Sequence, residues 1–385
     1  MKFALAAYGS RGDVEPFAVV ARELLRRGHD VRLAVSPDML AFVESAGLGA
    51  VPFGPRMSWQ GAGNLAGAVR DVVRNVTRAW AEWDTTLMEL AAGADLLFTG
   101  QVAQGLAANI AEYHGIPAAT LHFFPGGESR PGGEIGRITT DAENAQRRAL
   151  GLPEAAEASE RLEIQAYDEF LFPGVVAEWA EHALSRPFVG ALTLELPTDT
   201  DAEVLSWIAA GPPPIYFGFG SNVRLPSPGE TVAVISAACA QLGERALVCS
   251  GASDFANIPW FDNVEVVDAV NHGAVFPACR AVVHQGGAGT TAAGMRAGKA
   301  TLVLWFGIED QPIWASAVER LKMGRGRAFS DSTLDSLVAD LRCVLEPECL
   351  ARAREVAAQM TTAEESPSRA ADLLEHTARH GGWQR

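Results

Sequence analysis

"AVVHQGGAGTTAAG", residues 281–294, is where the fold can be read. An apolar run from Ala281 to Val283 stops at His284, and Gly286, Gly287 and Gly289, two threonines and small helix formers follow. Glycine lets a backbone approach an anion closely, and a helix beginning at Thr290 points free N–H groups at a phosphate. Strand, glycine turn and helix in that order make the repeating unit of an α/β fold. The phosphate itself is left open: a nucleoside triphosphate, a nicotinamide or flavin dinucleotide, or a sugar nucleotide.

Outward from that loop, short apolar runs alternate with helix-length amphipathic segments. The first half carries "FALAAY", "VRLAV", "DLLFT" and "PAATLHFF"; the second carries "PIYFGF", "RALVCS", "VEVV", "RAVVH" and "ATLVLW". Such alternation predicts parallel, doubly wound sheets. At 385 residues the chain suffices for two cores. The acidic, proline-rich stretch "LTLELPTDTDAEVLSWIAAGPPP" reads as the connection near 192–214, dividing the chain into domains 1–195 and 196–385. Two such domains place a ligand in a cleft at the carboxyl ends of their strands.

Composition narrows the partners. A net charge of −16 argues against nucleic acid and against a general polybasic attachment to anionic lipid. Five cysteines without a CxxC pair read as reduced thiols in a cytoplasmic protein. The opening "MKFALAAYGSRGD" is too short in its apolar run for a signal peptide and reads as a buried first strand. No apolar stretch approaches the roughly 18 residues of a membrane span.

A Walker A loop needs Lys before its Ser or Thr, and no Lys lies between Lys2 and Lys299, so the triphosphate reading fails. The dinucleotide reading is stronger. Gly287, Gly289 and Ala292 fit G-x-G-x-x-A, and Glu309 and Asp310 follow at about the right distance. Against it, the loop lies deep in the second domain, and His284 is not part of that fingerprint. A glycine-rich packing turn is the plain structural alternative. "YGSRGDVEP", residues 8–16, is a second glycine turn after a strand, carrying Ser10, Arg11 and Asp13. Asp13 is either functional or simply the cap of a helix that Pro16 helps to start. "FGFGSN", residues 217–222, is a third such turn and offers Ser221.

Together "GSRGDVEP", "GPPPIYFGFGS", "VNHGAVFPACRAVVHQGGAGTTAAGMRAG" and "EDQPIWA" resemble the GT-B glycosyltransferases, in the group of vancomycin-type aglycone and sterol glycosyltransferases. Within it, "AAGADLLFTGQ", "LEIQAYDEFLFPG" and "RPFVGALT" are most similar to mycobacterial glycosyltransferases of glycopeptidolipid assembly. The resemblance implies two facing Rossmann-like domains, acceptor on the first and nucleotide-sugar on the second, with the last helix packing back on the first. It implies that His284, Gly287, Gly289 and Thr290 hold the donor diphosphate, with Ser221, Ser10 and Arg11 approaching from the other side. Asp310 and Gln311 would hold sugar hydroxyls, Val270, Asn271 and His272 would line the nucleotide pocket, and Asp13 would be the base. Charge on the departing diphosphate then needs no metal, because a helix N-terminus, His284 and Arg11 stand by. "DTD" at 199–201 resembles a metal-binding motif but falls in the connection and is discounted.

Two departures from the family pattern stand out. Gln285 occupies the position of a second His and is read as lying outside the phosphate shell. The segment 126–141 is short where relatives carry a longer acceptor-side insert. His122, at a strand end, is a candidate to orient Asp13 or the acceptor; a hydrogen-bonded structural histidine is the simpler reading. Residues 66–90 place Val69, Val72, Val73, Val76, Trp80, Trp83, Leu87 and Leu90 at helical spacing. Most of that stripe is ordinary core, and Trp80 and Trp83 are the candidates for contact with a greasy acceptor. Arg70, Arg74 and Arg78 form a solvated stripe, or a weak touch on a membrane surface.

The expectation is an inverting, metal-independent transferase without cofactor. It would move a hexose or 6-deoxyhexose from a dTDP- or UDP-linked donor to a lipopeptide hydroxyl, in the cytoplasm or at the inner face of the plasma membrane. The alternatives are a UDP-glucose-dependent sterol or polyketide glucosyltransferase, an NAD- or FAD-dependent oxidoreductase, and a catalytically silent nucleotide-sugar binder.

Overall fold

The computed structural model describes residues 1–57, 65–125, 134–153, 161–179, 186–221, 224–255, 258–307 and 310–382, with 65–77 and 134–139 described by backbone alone. The chain forms two units, Met1–Leu194 with Thr361–Arg385, and Glu195–Met360.

In the first unit, strands β1 (Lys2–Ala7), β2 (Asp30–Val35), β3 (Val51–Pro52), β4 (Leu96–Gly100), β5 (Ala118–His122) and β6 (Leu162–Gln165) form a parallel sheet in the order β3-β2-β1-β4-β5-β6. Its helices are α1 (Arg11–Arg26), α2 (Leu40–Ser45), α3 (Leu65–Ala91), α4 (Gln104–His114), α5 (Glu134–Ala149) and α6 (Pro173–Trp179). The second unit adds α7 (Asp201–Ala209), β7 (Ile215–Gly218), α8 (Pro228–Leu242), β8 (Ala246–Cys249), β9 (Val264–Val267), α9 (His272–Val275), β10 (Ala281–His284), α10 (Ala288–Arg296), β11 (Thr301–Trp305), α11 (Gln311–Arg320), β12 (Gly324–Ala328), α12 (Leu334–Val344) and α13 (Pro347–Ala357). The last helix, α14 (Glu365–His380), belongs to the first unit, where Arg27, the C-cap of α1, holds Asp372 at 2.6 Å and Glu375 at 3.0 Å.

The second sheet, also parallel, runs β12-β11-β10-β7-β8-β9. Counted from its own first strand this is the order 3-2-1-4-5-6 of the first sheet, so the fold expected from the sequence, two doubly wound domains, is present. Strand order reverses between β1 and β4 in one unit and between β7 and β10 in the other. At such switch points the loops after the strands' carboxyl ends diverge and leave room for a ligand.

Both sheets are covered on two faces, which is why their central strands read as unbroken apolar runs. Phe3, Ala4, Leu5, Ala6 and Ala7 are all buried, as are Ala281, Val282 and Val283. Two details differ from expectation. Helix α7, which belongs to the second unit, lies inside the stretch 192–214 expected to be a connection. Helix α1 begins at Arg11, so Pro16 sits inside it rather than at its start. Among the described residues no helix is long and apolar enough to cross a membrane.

Candidate functional site

In the first unit β1 delivers the chain to Tyr8, Gly9 and Ser10. Gly9 has φ +147, and a Cβ there would collide with the Asp13 carboxyl, so only glycine fits. Its N–H donates to Ser36 Oγ at 2.7 Å, fixing the turn against the end of β2. Ser10 is the N-cap of α1. Its backbone N–H (2.6 Å) and its hydroxyl (2.9 Å) both donate to Oδ2 of Asp13, three residues on. Asp13 therefore does cap the helix, as the plain reading expected, and both bonds fall on one oxygen. Desolvation pushes its carboxyl up to about 6, against the opposing pull of the Ser10 donors. A carboxylate with that affinity is ionised at neutral pH yet basic enough to take a proton.

Arg11 is engaged within its own unit. Its Nε meets Glu15 Oε2 at 2.7 Å and its guanidinium lies 4.8 Å over the Phe42 ring. Glu15 Oε1 accepts the N–H of Leu194 at 2.8 Å, tying α1 to the last residue before the crossing. That residue was missed in the sequence, although its spacing from Arg11 is that of an i, i+4 ion pair.

Trp83 is fully buried, stacked on Phe53 at 5.5 Å and edge-on to Tyr8 at 4.8 Å. It belongs to the core beneath β1, and an acceptor has no exposed face of it to touch. Trp80 is half-buried beside it at 6.3 Å. Arg78 is exposed. The side chains of Val69, Val72, Val73, Val76, Arg70 and Arg74, and the segment 126–133, lie outside the described residues. His122 ends β5 with 7% exposure, and its Nε2 has no hydrogen-bond partner, so no bond through that nitrogen orients Asp13. Burial pushes this imidazole down to about 4.

In the second unit the same construction recurs at β7 and β10. Gly220, φ +81, and the exposed Ser221 follow β7; His284 ends β10 opposite Gly218. His284 is fully buried, and desolvation, with His272 nearby, pushes it down to about 3. Gly286 donates its N–H to Nδ1 at 2.9 Å, while Nε2 is buried without a partner. Gly286 has φ +95, and a Cβ would stand 2.8 Å from Val303 and 3.0 Å from the Gln311 carbonyl. Gly287 is the N-cap of α10, which therefore starts at Ala288, two residues before the expected Thr290. Thr290 is its third residue and half-exposed, and the Cβ position of Gly289 faces open space. Gln285, read as outside this shell, has its carboxamide against both turns. Its Nε2 overlaps the Cβ position of Gly220 and stands 2.9 Å from that of Gly287.

Val270 is buried and Asn271 caps α9, accepting from Gly273 N at 3.0 Å. His272 stacks on Phe276 at 4.4 Å and meets the Tyr216 hydroxyl at 3.2 Å. Asp201, the last residue of the "DTD" stretch, accepts from Thr198 N and Oγ1 and from Asn271 N, which makes it a loop tether. Among the described residues no group of three His, Cys, Asp or Glu is placed to hold a metal ion. Asp310 is the N-cap of α11; Gln311 is buried with Oε1 accepting the Phe306 N–H at 2.8 Å. Glu309 lies outside the described residues. Phe306 and Phe329 stack at 4.4 Å beside that bond, an aromatic wall that scattered single phenylalanines did not signal.

Comparison with known proteins adds sequence evidence. Residues 3–117 match the glycosyltransferase family 28 N-terminal domain, and residues 245–376 match the erythromycin biosynthesis protein CIII-like C-terminal domain. An uncharacterized glycosyltransferase of Mycobacterium leprae is 53% identical over 98% of this chain and 97% of its own. The vancomycin aglycone glucosyltransferase of Amycolatopsis orientalis is 31% identical over 94% of both chains. The solved structure of the Streptomyces sp. SF2575 glycosyltransferase SsfS6, complexed with thymidine diphosphate, superposes with a TM-score of 0.67 at 21% identity, covering 98% of this chain and 99% of that one.

Proposed function

We propose a reaction for this chain from one premise: it belongs to the GT-B glycosyltransferases and is a relative of the vancomycin aglycone glucosyltransferase. The observation that carries the proposal is His284, a buried imidazole whose Nε2 has no partner, set before a helix capped by glycine. A buried donor without a partner costs roughly 1–3 kcal/mol, and a bound anion would recover it.

In this reading Nε2–H, the first N–H groups of α10 and the turn at Gly220–Ser221 take the diphosphate of a nucleotide sugar. Val270, Asn271 and His272 line the base, and Asp310 and Gln311 take sugar hydroxyls. Ser10 positions Asp13, which accepts the acceptor's proton. The acceptor oxygen bonds to the anomeric carbon as its bond to the diphosphate breaks on the opposite face, so configuration inverts. The leaving group carries the electron pair and is stabilised by preorganised donors and the helix dipole, with no divalent metal required.

We assign the donor to thymidine-diphospho 6-deoxyhexoses and the acceptor to a lipopeptide reached at the inner face of the plasma membrane. The thymidine diphosphate held by SsfS6 supports the base, and the glycopeptidolipid-type motifs of the sequence support the acceptor. The glucosyltransferase among the relatives supports a second donor, a uridine-linked glucose. The test is a panel of thymidine- and uridine-linked sugars, run in excess EDTA with lipid extracts, read by nucleoside diphosphate release and acceptor mass. Release with a matching hexose or deoxyhexose mass gain is expected. Turnover only on adding Mg²⁺ or Mn²⁺ would refute metal independence; no turnover of any donor, or a bound flavin or nicotinamide, would refute the transferase assignment.

A further inference from the structure

We propose that Glu15 is a positioning residue for the transfer reaction: it ties the first turns of α1, and with them Asp13, to the segment that leads out of the first unit. The inference rests on the reading of Asp13 as the base and adds what holds that base in place. Both oxygens of Glu15 are engaged. Oε2 takes Nε of Arg11, the first residue of α1, at 2.7 Å, and Oε1 accepts the backbone N–H of Leu194 at 2.8 Å. The Glu15 side chain is only 13% exposed, and its partners lie four and 179 residues away in sequence. One carboxylate therefore joins a local helix start to a distant part of the chain.

That distant part is itself packed. Gln165 of β6 donates its N–H to the Pro187 carbonyl at 2.9 Å and accepts from Val189 N at 3.0 Å, so the segment continues the sheet beside β6. Val189, Ala191 and Leu192 are buried. Gly190, φ +80, is closed in by Thr361 and Ser366, whose atoms a Cβ there would meet at 2.5 and 2.7 Å. Thr361, where the chain re-enters the first unit, is held by Oδ1 of the buried Asp168, which accepts its N–H at 2.9 Å and its hydroxyl at 2.6 Å. Leu194 follows two residues after this packed stretch and presents its N–H to Glu15. The donors to Asp13, by contrast, come from Ser10 in its own turn and move with it. The Gly9–Ser36 bond restrains the chain before the helix; Glu15 restrains it one turn in. Small errors in the placement of a reacting group are costly, up to about 10²-fold for 1 Å.

The experiment is a double-mutant cycle of Glu15→Ala and Glu15→Gln, each in the wild-type and the Asp13→Asn chain, read by steady-state kinetics with thermal melts alongside. Glu15→Ala should lower kcat roughly tenfold while donor and acceptor KM stay within about twofold, as for a misplaced catalytic group. In the Asp13→Asn chain the same change should cost nothing further, because the group that Glu15 positions is already disabled. Gln keeps an oxygen for the Leu194 N–H and loses only the Arg11 pair, so Glu15→Gln should recover most of the turnover that Ala loses. A role in stability alone would lower the melting temperature and reduce turnover by the same factor in both chains. That result, wild-type kcat in Glu15→Ala, or a Gln variant no better than Ala would overturn this inference alone. Should Glu15→Ala not melt cooperatively, the cycle with Glu15→Gln decides, with a two- to threefold loss expected in the wild-type chain and none in Asp13→Asn. Near-normal turnover of Asp13→Asn by itself would overturn the base reading, and this inference with it.

Discussion

Gly286 donates its backbone N–H to Nδ1 of His284 at 2.9 Å, which places the imidazole proton on Nε2. A neutral ring with Nδ1 accepting has only that tautomer. On the proposed donor reading, His284 would meet a phosphate as a neutral donor. Replacing it by Ala should weaken thymidine diphosphate binding while leaving the fold intact. The difference in affinity between wild type and variant should stay level from pH 8 to pH 6. A difference that grows about tenfold as pH falls through 6.5 would mean that a cationic ring does the binding.

The same burial sets an acid limit on stability. His284 is held down at about 3 and His122 at about 4, both below the ordinary value of about 6.5. The unfolded chain protonates these rings first, so the stability they contribute is complete above pH 6.5 and is lost as pH falls toward 4 and 3. Each ring can supply a slope of up to roughly 1.4 kcal/mol per pH unit in that window. Asp13 acts in the opposite sense, being raised to about 6: its contribution is present below about 4 and lost as pH rises through 6. The check is urea unfolding of wild type, His284→Gln and His122→Gln between pH 7 and pH 5. Shallower pH slopes in both variants are expected, and slopes equal to wild type would contradict the assignment.

Trp83 and Trp80 should part company on substitution. Trp83 has no exposed surface and stacks on Phe53, so Trp83→Ala should cost roughly 3–5 kcal/mol with acceptor and donor KM unmoved. Trp80, half-buried at the edge of the same cluster, should lose less stability and raise the acceptor KM selectively. Thermal melts paired with steady-state kinetics on a lipidated acceptor and a short-chain analogue separate the two outcomes.

The central strands were legible because burial on both faces writes them as apolar runs, from "FALAAY" to "ATLVLW". The strands missed, β3, β6 and β12, are edges of their sheets, where that pressure lapses. In β12, "GRGRA", the glycines answer packing instead: a Cβ on Gly324 would collide with the Thr301 carbonyl, and one on Gly326 would stand 2.8 Å from Ala315. The strand-end residues Ser10, Asp13 and His284 could be picked out from their turns. The directions of side chains within the loops could not. That the Gln285 carboxamide lies against both the Gly220 and Gly287 turns was not legible, because position in a motif says nothing of the way a χ angle turns. The bond from Phe306 N to Gln311 depends on a loop path that no local pattern encodes.

The central claim is that Asp13 takes the acceptor's proton, and one substitution tests it. Asn fills nearly the same volume and its Oδ1 can still accept from the Ser10 N–H and hydroxyl, so Asp13→Asn keeps the contact to the N-cap residue and removes the base. At saturating donor and acceptor, turnover should fall by roughly 10²–10⁴, with thymidine diphosphate affinity little changed. In the wild type kcat/KM should rise with pH through about 6 and then level, following ionisation of the carboxyl. Near-normal turnover of Asp13→Asn would show that Asp13 only caps α1 and would contradict the account.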